Sequence, residues 1–268
     1  REKGLETLNN SNGFPFNNIK KIIVQNNAVW VATQASGIVK LDYDFEKGIV
    51  KKSTQFNKSN GLKELSIITM IADDSGNIWY ATKTGAIGYI ENDTIKSQIL
   101  ITKNKTTINN IVIHNDRIYL GTLGDGIWWA NMSNLTAFQK LTGEQQFVSN
   151  NSYQLIFDKN QHLWLGTEKG VDRVTLNDSN LITEITHFGK NDGFIGIETS
   201  LNAVDKDDIG NIWFGTANGI SQYISTNTQN KPRIPLLFFE KVAVAYQAID
   251  SININTYNKV LSLSPRKN

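Results

Sequence analysis

The chain has no cysteine, which removes disulfides, thiolate metal sites and cysteine nucleophiles in one step. It has only 4 prolines and no apolar run near the roughly 18 residues that a membrane-crossing helix needs. An excess of one charge is missing too: 27 basic against 25 acidic residues leave a formal net charge of +2. The lysines and arginines are dispersed, so a nucleic-acid groove or polybasic membrane patch has no footprint. No segment sustains the 3.6-residue apolar period of a helical solenoid. The opening Arg1-Glu2-Lys3-Gly4 carries neither an initiator methionine nor a signal-peptide pattern, and the chain is expected to be a piece of something longer.

What is present is a repeat. Trp30-Val31-Ala32-Thr33, Trp79-Tyr80-Ala81-Thr82, Tyr119-Leu120-Gly121-Thr122, Trp164-Leu165-Gly166-Thr167 and Trp213-Phe214-Gly215-Thr216 recur at spacings of 49, 40, 45 and 49 residues. That is the range, about 40 to 50, of one four-stranded propeller blade per copy. Ahead of each aromatic runs a β-rich inner strand: Ile22-Ile23-Val24, Ile68-Thr69-Met70-Ile71, Ile111-Val112-Ile113, Leu155-Ile156-Phe157 and Ala203-Val204. A tight turn separates the two, with Gly76 or Gly210 at its positive-φ position and Asn27, Asp116 or Gln161-His162 standing in elsewhere.

Two residues after the aromatic, on the same strand face, the side chain is always small (Ala32, Ala81, Gly121, Gly166, Gly215), which predicts that neighbouring blades approach there. Gly37, Gly85, Gly126, Gly170 and Gly219 then open a third strand, and outer strands are expected at 53–57, 137–141 and 184–188. Residues 4–8 resemble such an outer strand, whereas the fifth copy runs out after its third strand near Tyr223. The two halves would complete one blade. The expected fold class is all-β: a β-propeller with five recognisable four-stranded blades, either a fragment of a larger ring or a five-blade closure, plus an incomplete β-sandwich tail.

The lead-in Asn60-Gly61-Leu62, the turn and strand at 73–79 and the stretch 215–219 resemble the two-component regulator propeller repeat, over about residues 4–224. The fifth copy with its lead-in, from Asn191-Asp192-Gly193-Phe194 through Glu198 and Asn202-Ala203, is its most specific part. After a linker at 225–231, residues 232–268 are similar to the start of a triple-tyrosine (YYY) immunoglobulin-like domain. The resemblance implies the periplasmic sensor region of a hybrid two-component receptor, coupled through that domain and a membrane helix outside this sequence to a cytoplasmic histidine kinase or, less often, another output domain. Family members commonly form rings of seven blades, so the number of copies here departs from the pattern.

For catalysis the three histidines are the natural start, but His114, His162 and His187 fall at different positions of different copies, without HExxH spacing or a nucleophile elbow. Asp73-Asp74 and Asp207-Asp208 read as turn chemistry, because a Ca²⁺ loop needs further oxygen ligands and a distal glutamate. No catalytic residue, metal or cofactor is expected. The recurring Trp reads as core. The third copy differs: Leu123-Gly124-Asp125-Gly126-Ile127-Trp128-Trp129 places two extra indoles beside an acid, an arrangement that suits a pyranose as well as blade packing.

The turns after the Trp strands and the lead-in loops should share one face. Candidate ligand residues on it are Phe16, Asn17, Lys83, Asp125, Tyr153, Glu168, Glu198 and Asn218, joined by Trp128 and Trp129. The function expected is extracytoplasmic sensing of a small ligand, a glycan fragment by analogy, without catalysis. A propeller lyase or lactonase and a protein-interaction scaffold are the alternatives. The expected partners are that ligand and a second copy through the C-terminal domain. Nucleic acid is not expected, and a membrane enters only through segments outside this sequence.

Overall fold

The computed structural model describes residues 7–9, 14–101, 105–194, 196, 198–225, 243–244 and 247–248. It divides into two compact units, Arg1–Ser225 and Thr226–Asn268. The first is an all-β propeller of five blades. Blade 1 is β1 (Ile19–Gln25), β2 (Ala28–Thr33), β3 (Ile38–Asp44) and β4 (Ile49–Phe56), and blade 2 is β5 (Ile67–Ala72), β6 (Ile78–Thr82), β7 (Ala86–Glu91) and β8 (Thr94–Leu100). Blade 3 is β9 (Ile108–His114), β10 (Arg117–Thr122), β11 (Ile127–Asn131) and β12 (Gln139–Lys140). Blade 4 is β13 (Gln154–Phe157), β14 (Leu163–Thr167), β15 (Gly170–Leu176) and β16 (Ile182–Phe188), and blade 5 is β17 (Thr199–Lys206), β18 (Ile212–Thr216) and β19 (Gly219–Tyr223).

Each blade is an antiparallel meander, four-stranded in blades 1 to 4. Blade 5 has three strands among the described residues, short of the expected four because no strand described here follows or flanks β19. Of residues 4–8, only Thr7 and Leu8 are described. In the second unit the described residues form one small ladder, β20 (Ala243–Val244) with β21 (Gln247–Ala248). The remaining strands expected at 232–268 lie outside the described residues.

The meander follows from local chemistry. The turns between first and second strands hold Asn27, Asp116 and Gln161 at φ of 59°, 57° and 69°, where other copies hold Gly76 and Gly210 at 84° and 88°. Asn and Asp occupy this region at little cost. The second hairpin is stricter. At Gly37, φ is +79° and an added Cβ would sit 2.1 Å from the Phe56 carbonyl oxygen. Gly37→Ala should therefore cost about 2 kcal/mol in chemical denaturation.

Inner strands β1, β5, β9, β13 and β17 lie side by side, and the repeat aromatics of blades 1 to 4 are each buried by the next blade. Trp30 packs with Ile78, Tyr80 and Ile90, Trp79 with Ile118, Leu120 and Ala130, Tyr119 with Leu163, Leu165 and Val174, and Trp164 with Ile212, Phe214 and Tyr223. Their exposures are 6%, 4%, 2% and 1%. Trp213 is 40% exposed.

Beneath the ring the aromatics are clasped. Asp73, Asp158 and Asp207 each accept a bond from the indole Nε1 six residues on, at 2.9, 2.9 and 3.0 Å. The acid that closes the turn thus also satisfies the one polar atom of the core tryptophan.

Candidate ligand site

The face formed by the lead-in loops and the second hairpins carries an open cleft of about 500 Å³, lined by Asn109, Leu123, Tyr153, Glu198, Thr199, Ser200, Leu201 and Ala217. It draws on blades 3, 4 and 5. Its floor is a set of amides and hydroxyls that bind these blades together. Asn110 Nδ2 donates to the Tyr153 carbonyl and to Asn202 Oδ1 (3.1 and 2.6 Å), Ser152 Oγ donates to Asn110 Oδ1 (2.7 Å), and Asn109 Nδ2 donates to the Ser152 carbonyl (2.9 Å). Gln154 Nε2 faces the carbonyls of Ser200, Ala203 and Gly215 at 2.9, 2.9 and 2.7 Å. Most of these buried polar atoms are paired, Gln154 Oε1 being without a partner among the described residues, so the network favours one arrangement of the loops above it.

A bulge shapes the rim. The β17–β18 register shifts between Thr199 and Val204, and Asn202 takes φ +57°. The extra residues re-aim the strand and leave Leu201 half exposed opposite Leu123, at 52% and 48%. On the blade 3 side Leu123 is fixed by its N–H to the Thr107 carbonyl (2.9 Å), and on the blade 5 side Ala217 is fixed by its N–H to the Glu198 carbonyl (3.0 Å).

Of the ten candidate residues, the structure brings Tyr153 and Glu198 into this cleft, with Glu168 close enough to act on the Tyr153 phenol. Burial first, then the charges of Glu168 and Glu198, push that phenol above its ordinary range, so it stays a neutral hydrogen-bond donor. Glu168 is itself pushed up by burial, but bonds from Ser149 Oγ at 2.8 and 3.0 Å help hold it below the usual carboxylate range. The cleft therefore offers an aromatic ring and two leucines, with carboxylates at its edge and no lysine or arginine among the lining residues.

The other candidates lie elsewhere. Phe16 packs on the Val31, Val39 and Leu41 cluster of blade 1, and Asn17, Lys83 and Asn218 are exposed outside the lining. The pair suggested in the third copy is spent on itself. Trp128 Nε1 donates to Asp125 Oδ2 (3.2 Å), and Lys140 Nζ holds Asp125 Oδ1 at 2.8 Å. Trp129 is removed from the candidate set because it is buried in the cluster around Tyr119, with the Arg117 guanidinium 5.5 Å from its ring centre. Strand alternation sends the two adjacent indoles to opposite faces, and only packing decides which is covered.

Two features were missed in the sequence. Leu123 and Ala217 enter the cleft from the second hairpins and Leu201 from the bulged start of β17, as ordinary apolar residues with no ligand motif to mark them. The second is a buried acid: Asp172 accepts from His187 Nδ1 (2.8 Å) and the Val148 N–H (2.8 Å), tying the segment before blade 4 to its outer strand. Among the described residues no group of three His, Asp or Glu side chains is placed to hold a metal ion.

No family model and no curated protein matches the chain. Solved structures do. The extracellular domain of the hybrid two-component system BT3049 from B. thetaiotaomicron matches at 18% identity and TM-score 0.64, covering 83% of this chain and 29% of that one. The corresponding domain of BT4673 from the same organism matches at 22% and 0.62, covering 82% and 28%. Virginiamycin B lyase from Staphylococcus aureus matches at 16% and 0.57, covering 78% and 71%. At such identities the likeness is one of fold. The chain spans less than a third of the two extracellular domains it matches, and its five blades share their propeller architecture.

Proposed function

We propose that this chain is the ligand-sensing propeller segment of an extracytoplasmic two-component receptor, and that it binds a small neutral ligand of the oligosaccharide class without turning it over. The observation that carries this reading is the cleft over blades 3 to 5, where Tyr153, Leu123 and Leu201 offer apolar surface and Glu198 sits at the rim. A pyranose has one apolar face and a ring of hydroxyls, and an aromatic beside a carboxylate meets both. The likeness to extracellular domains of hybrid two-component systems supports a sensing role. So does the resemblance of the repeat itself.

Thermal-shift screening against a panel of neutral oligosaccharides is the test. A binding sugar should raise the unfolding midpoint. Tyr153→Ala should then weaken its affinity about tenfold, as expected for one aromatic stacking partner, while the midpoint without sugar moves little. A shift that persists unchanged in both Tyr153→Ala and Glu198→Gln would overturn the assignment of the site.

A further inference from the structure

The link from blade 3 to blade 4 departs from those that follow blades 1 and 4. After blades 1 and 4 the chain closes a short turn on a glycine at positive φ, Gly61 at 101° and Gly193 at 86°. The Leu62 N–H meets the Asn57 carbonyl (3.0 Å) and the Phe194 N–H meets the Gly189 carbonyl (3.2 Å). These turns sink Leu62 beside Trp30 and Phe194 beside Trp164, at 1% and 8% exposure. In the third copy Leu141-Thr142-Gly143-Glu144-Gln145-Gln146-Phe147 aligns with residues 56–62 and 188–194. Leu141 takes the place of Phe56, its N–H on the Ile127 carbonyl at 2.8 Å, but Gln146 stands where the turn glycine stands. A residue with a Cβ is costly at positive φ, and Gln146 is not among those that adopt it. The chain instead runs along β16: the Ile182 N–H meets the Thr142 carbonyl (3.0 Å), and the Ile185 N–H meets Gln145 Oε1 (2.5 Å). Phe147 is left half-buried, and a hollow of about 300 Å³ opens, walled by Lys140, Gln145, Gln146, Phe147 and Asn150.

This lining suits hydroxyls. The side-chain amides of Gln146 and Asn150 have no partner among the described residues, and each both donates and accepts, as a sugar hydroxyl does. Lys140, the one charged residue of the lining, is held by Asp125 Oδ1 at 2.8 Å, so the hollow presents no unpaired charge to an acid or an amine. The hollow also shares a wall with the cleft. The Asn150 carbonyl accepts the Gly126 N–H (2.9 Å), Asn151 pairs with Leu123, and the Ser152 N–H meets the Thr122 carbonyl (2.8 Å). Lead-in and blade 3 hairpin thus form a two-stranded ridge, with Gly126 and Asn150 lining the hollow and Leu123 and Tyr153 lining the cleft. Asn150 and Tyr153 are three residues apart, a span of roughly 10 Å at most. On the sugar-binding reading given above, we propose that the hollow is a second subsite and that the ligand is a neutral oligosaccharide lying across this ridge. One sugar sits against Tyr153, and a later one sits against Phe147 with its hydroxyls on Gln146 and Asn150. An aromatic flanked by amides meets the apolar face and the hydroxyls of a pyranose together. The third copy gives up the burial that Leu62 and Phe194 gain, and a bound sugar restores cover to Phe147.

The test is calorimetric titration of the whole chain with neutral gluco-, xylo- and manno-oligosaccharides of two to six units. For the class that binds, affinity should rise at least about tenfold from the shortest to the longest member, because the second contact is made by a tethered unit. Gln146→Ala combined with Asn150→Ala should abolish that rise, weakening the longest member about tenfold and the shortest less than about twofold. Tyr153→Ala should weaken both. Gln146 and Asn150 are exposed, so the unfolding midpoint of the double variant without sugar should stay that of the parent. Affinity independent of length, a rise that survives the double substitution, or equal weakening of short and long members would overturn the second subsite and leave the sugar-binding cleft standing. Binding by no member at any length would overturn both.

Discussion

Replacing Asp158 by alanine should lower the unfolding free energy by about 4 kcal/mol in a denaturant titration. Its carboxylate has no exposed surface and accepts four bonds: from the Asn160 and His162 N–H groups (2.8 and 2.9 Å), from His162 Nδ1 (2.9 Å) and from Trp164 Nε1 (2.9 Å). Alanine leaves the Trp164 indole N–H without an acceptor beneath a side chain that is 1% exposed. A buried donor stripped of its partner loses its full desolvation cost, about 1–3 kcal/mol, and the turn amides add to that. The comparison that isolates burial is Asp207→Ala. That acid makes the same clasp, to Asn211 N, Asn211 Nδ2 and Trp213 Nε1, but under a Trp213 that water reaches, so water replaces the lost acceptor and only a small part of the effect should remain. Equal losses in the two variants would show that the clasp stabilises through the turn and not through the buried indole.

The second large effect is expected at Gly121. A Cβ there would meet Ser152 Oγ at 2.1 Å, Ser152 Cβ at 2.6 Å and Asn110 Oδ1 at 2.7 Å. These are not flexible ends. Ser152 and Asn110 are both buried, and the bond between them is part of the network under the cleft. Gly121→Val must either separate blade 3 from blade 4 or break that bond. Overpacking on this scale costs about 3 kcal/mol, which in a domain of this size lowers the thermal midpoint by about 10 °C. A melting temperature within about 2 °C of the parent would show that the blade 3 and blade 4 interface yields easily.

How much of this could be read from the sequence depended on whether the responsible chemistry was local. The positive φ at Asn27 and Asp116 was legible because turn residues are chosen by their own backbone, whereas Gln161, the least ideal of these turn residues, shows its φ of 69° only in the structure. The small residue after each aromatic was legible because it recurs, and the structure gives it its reason: Gly121 and Gly166 lie against Ser152 and Thr199 of the following blade. Outer strands were less visible. The strand Thr94–Leu100 of blade 2 went unread, and the one expected at 137–141 shrinks to Gln139–Lys140. Outer strands face water on one side and share no motif. Asp73 and Asp207 were legible as turn acids, but their bond to the indole six residues away crosses from turn to strand and appears only once the hairpin is folded. The cleft was legible as a face and not as a set. Tyr153 and Glu198 come together because β13 and β17 are neighbours, and Trp129 leaves the set because packing covers it.

The position of the cleft across three blades has a mechanical consequence. Each blade meets mainly the blades beside it, so the propeller behaves as a row of modules joined by nearest-neighbour contacts, and a disturbance in one fades along the row. A molecule seated against Asn109, Tyr153 and Leu201 touches the third, fourth and fifth modules together. Its binding free energy is then added to two module junctions at once. On the function proposed above, occupancy would be read as slower amide exchange across those two junctions, without a change in mean structure being required.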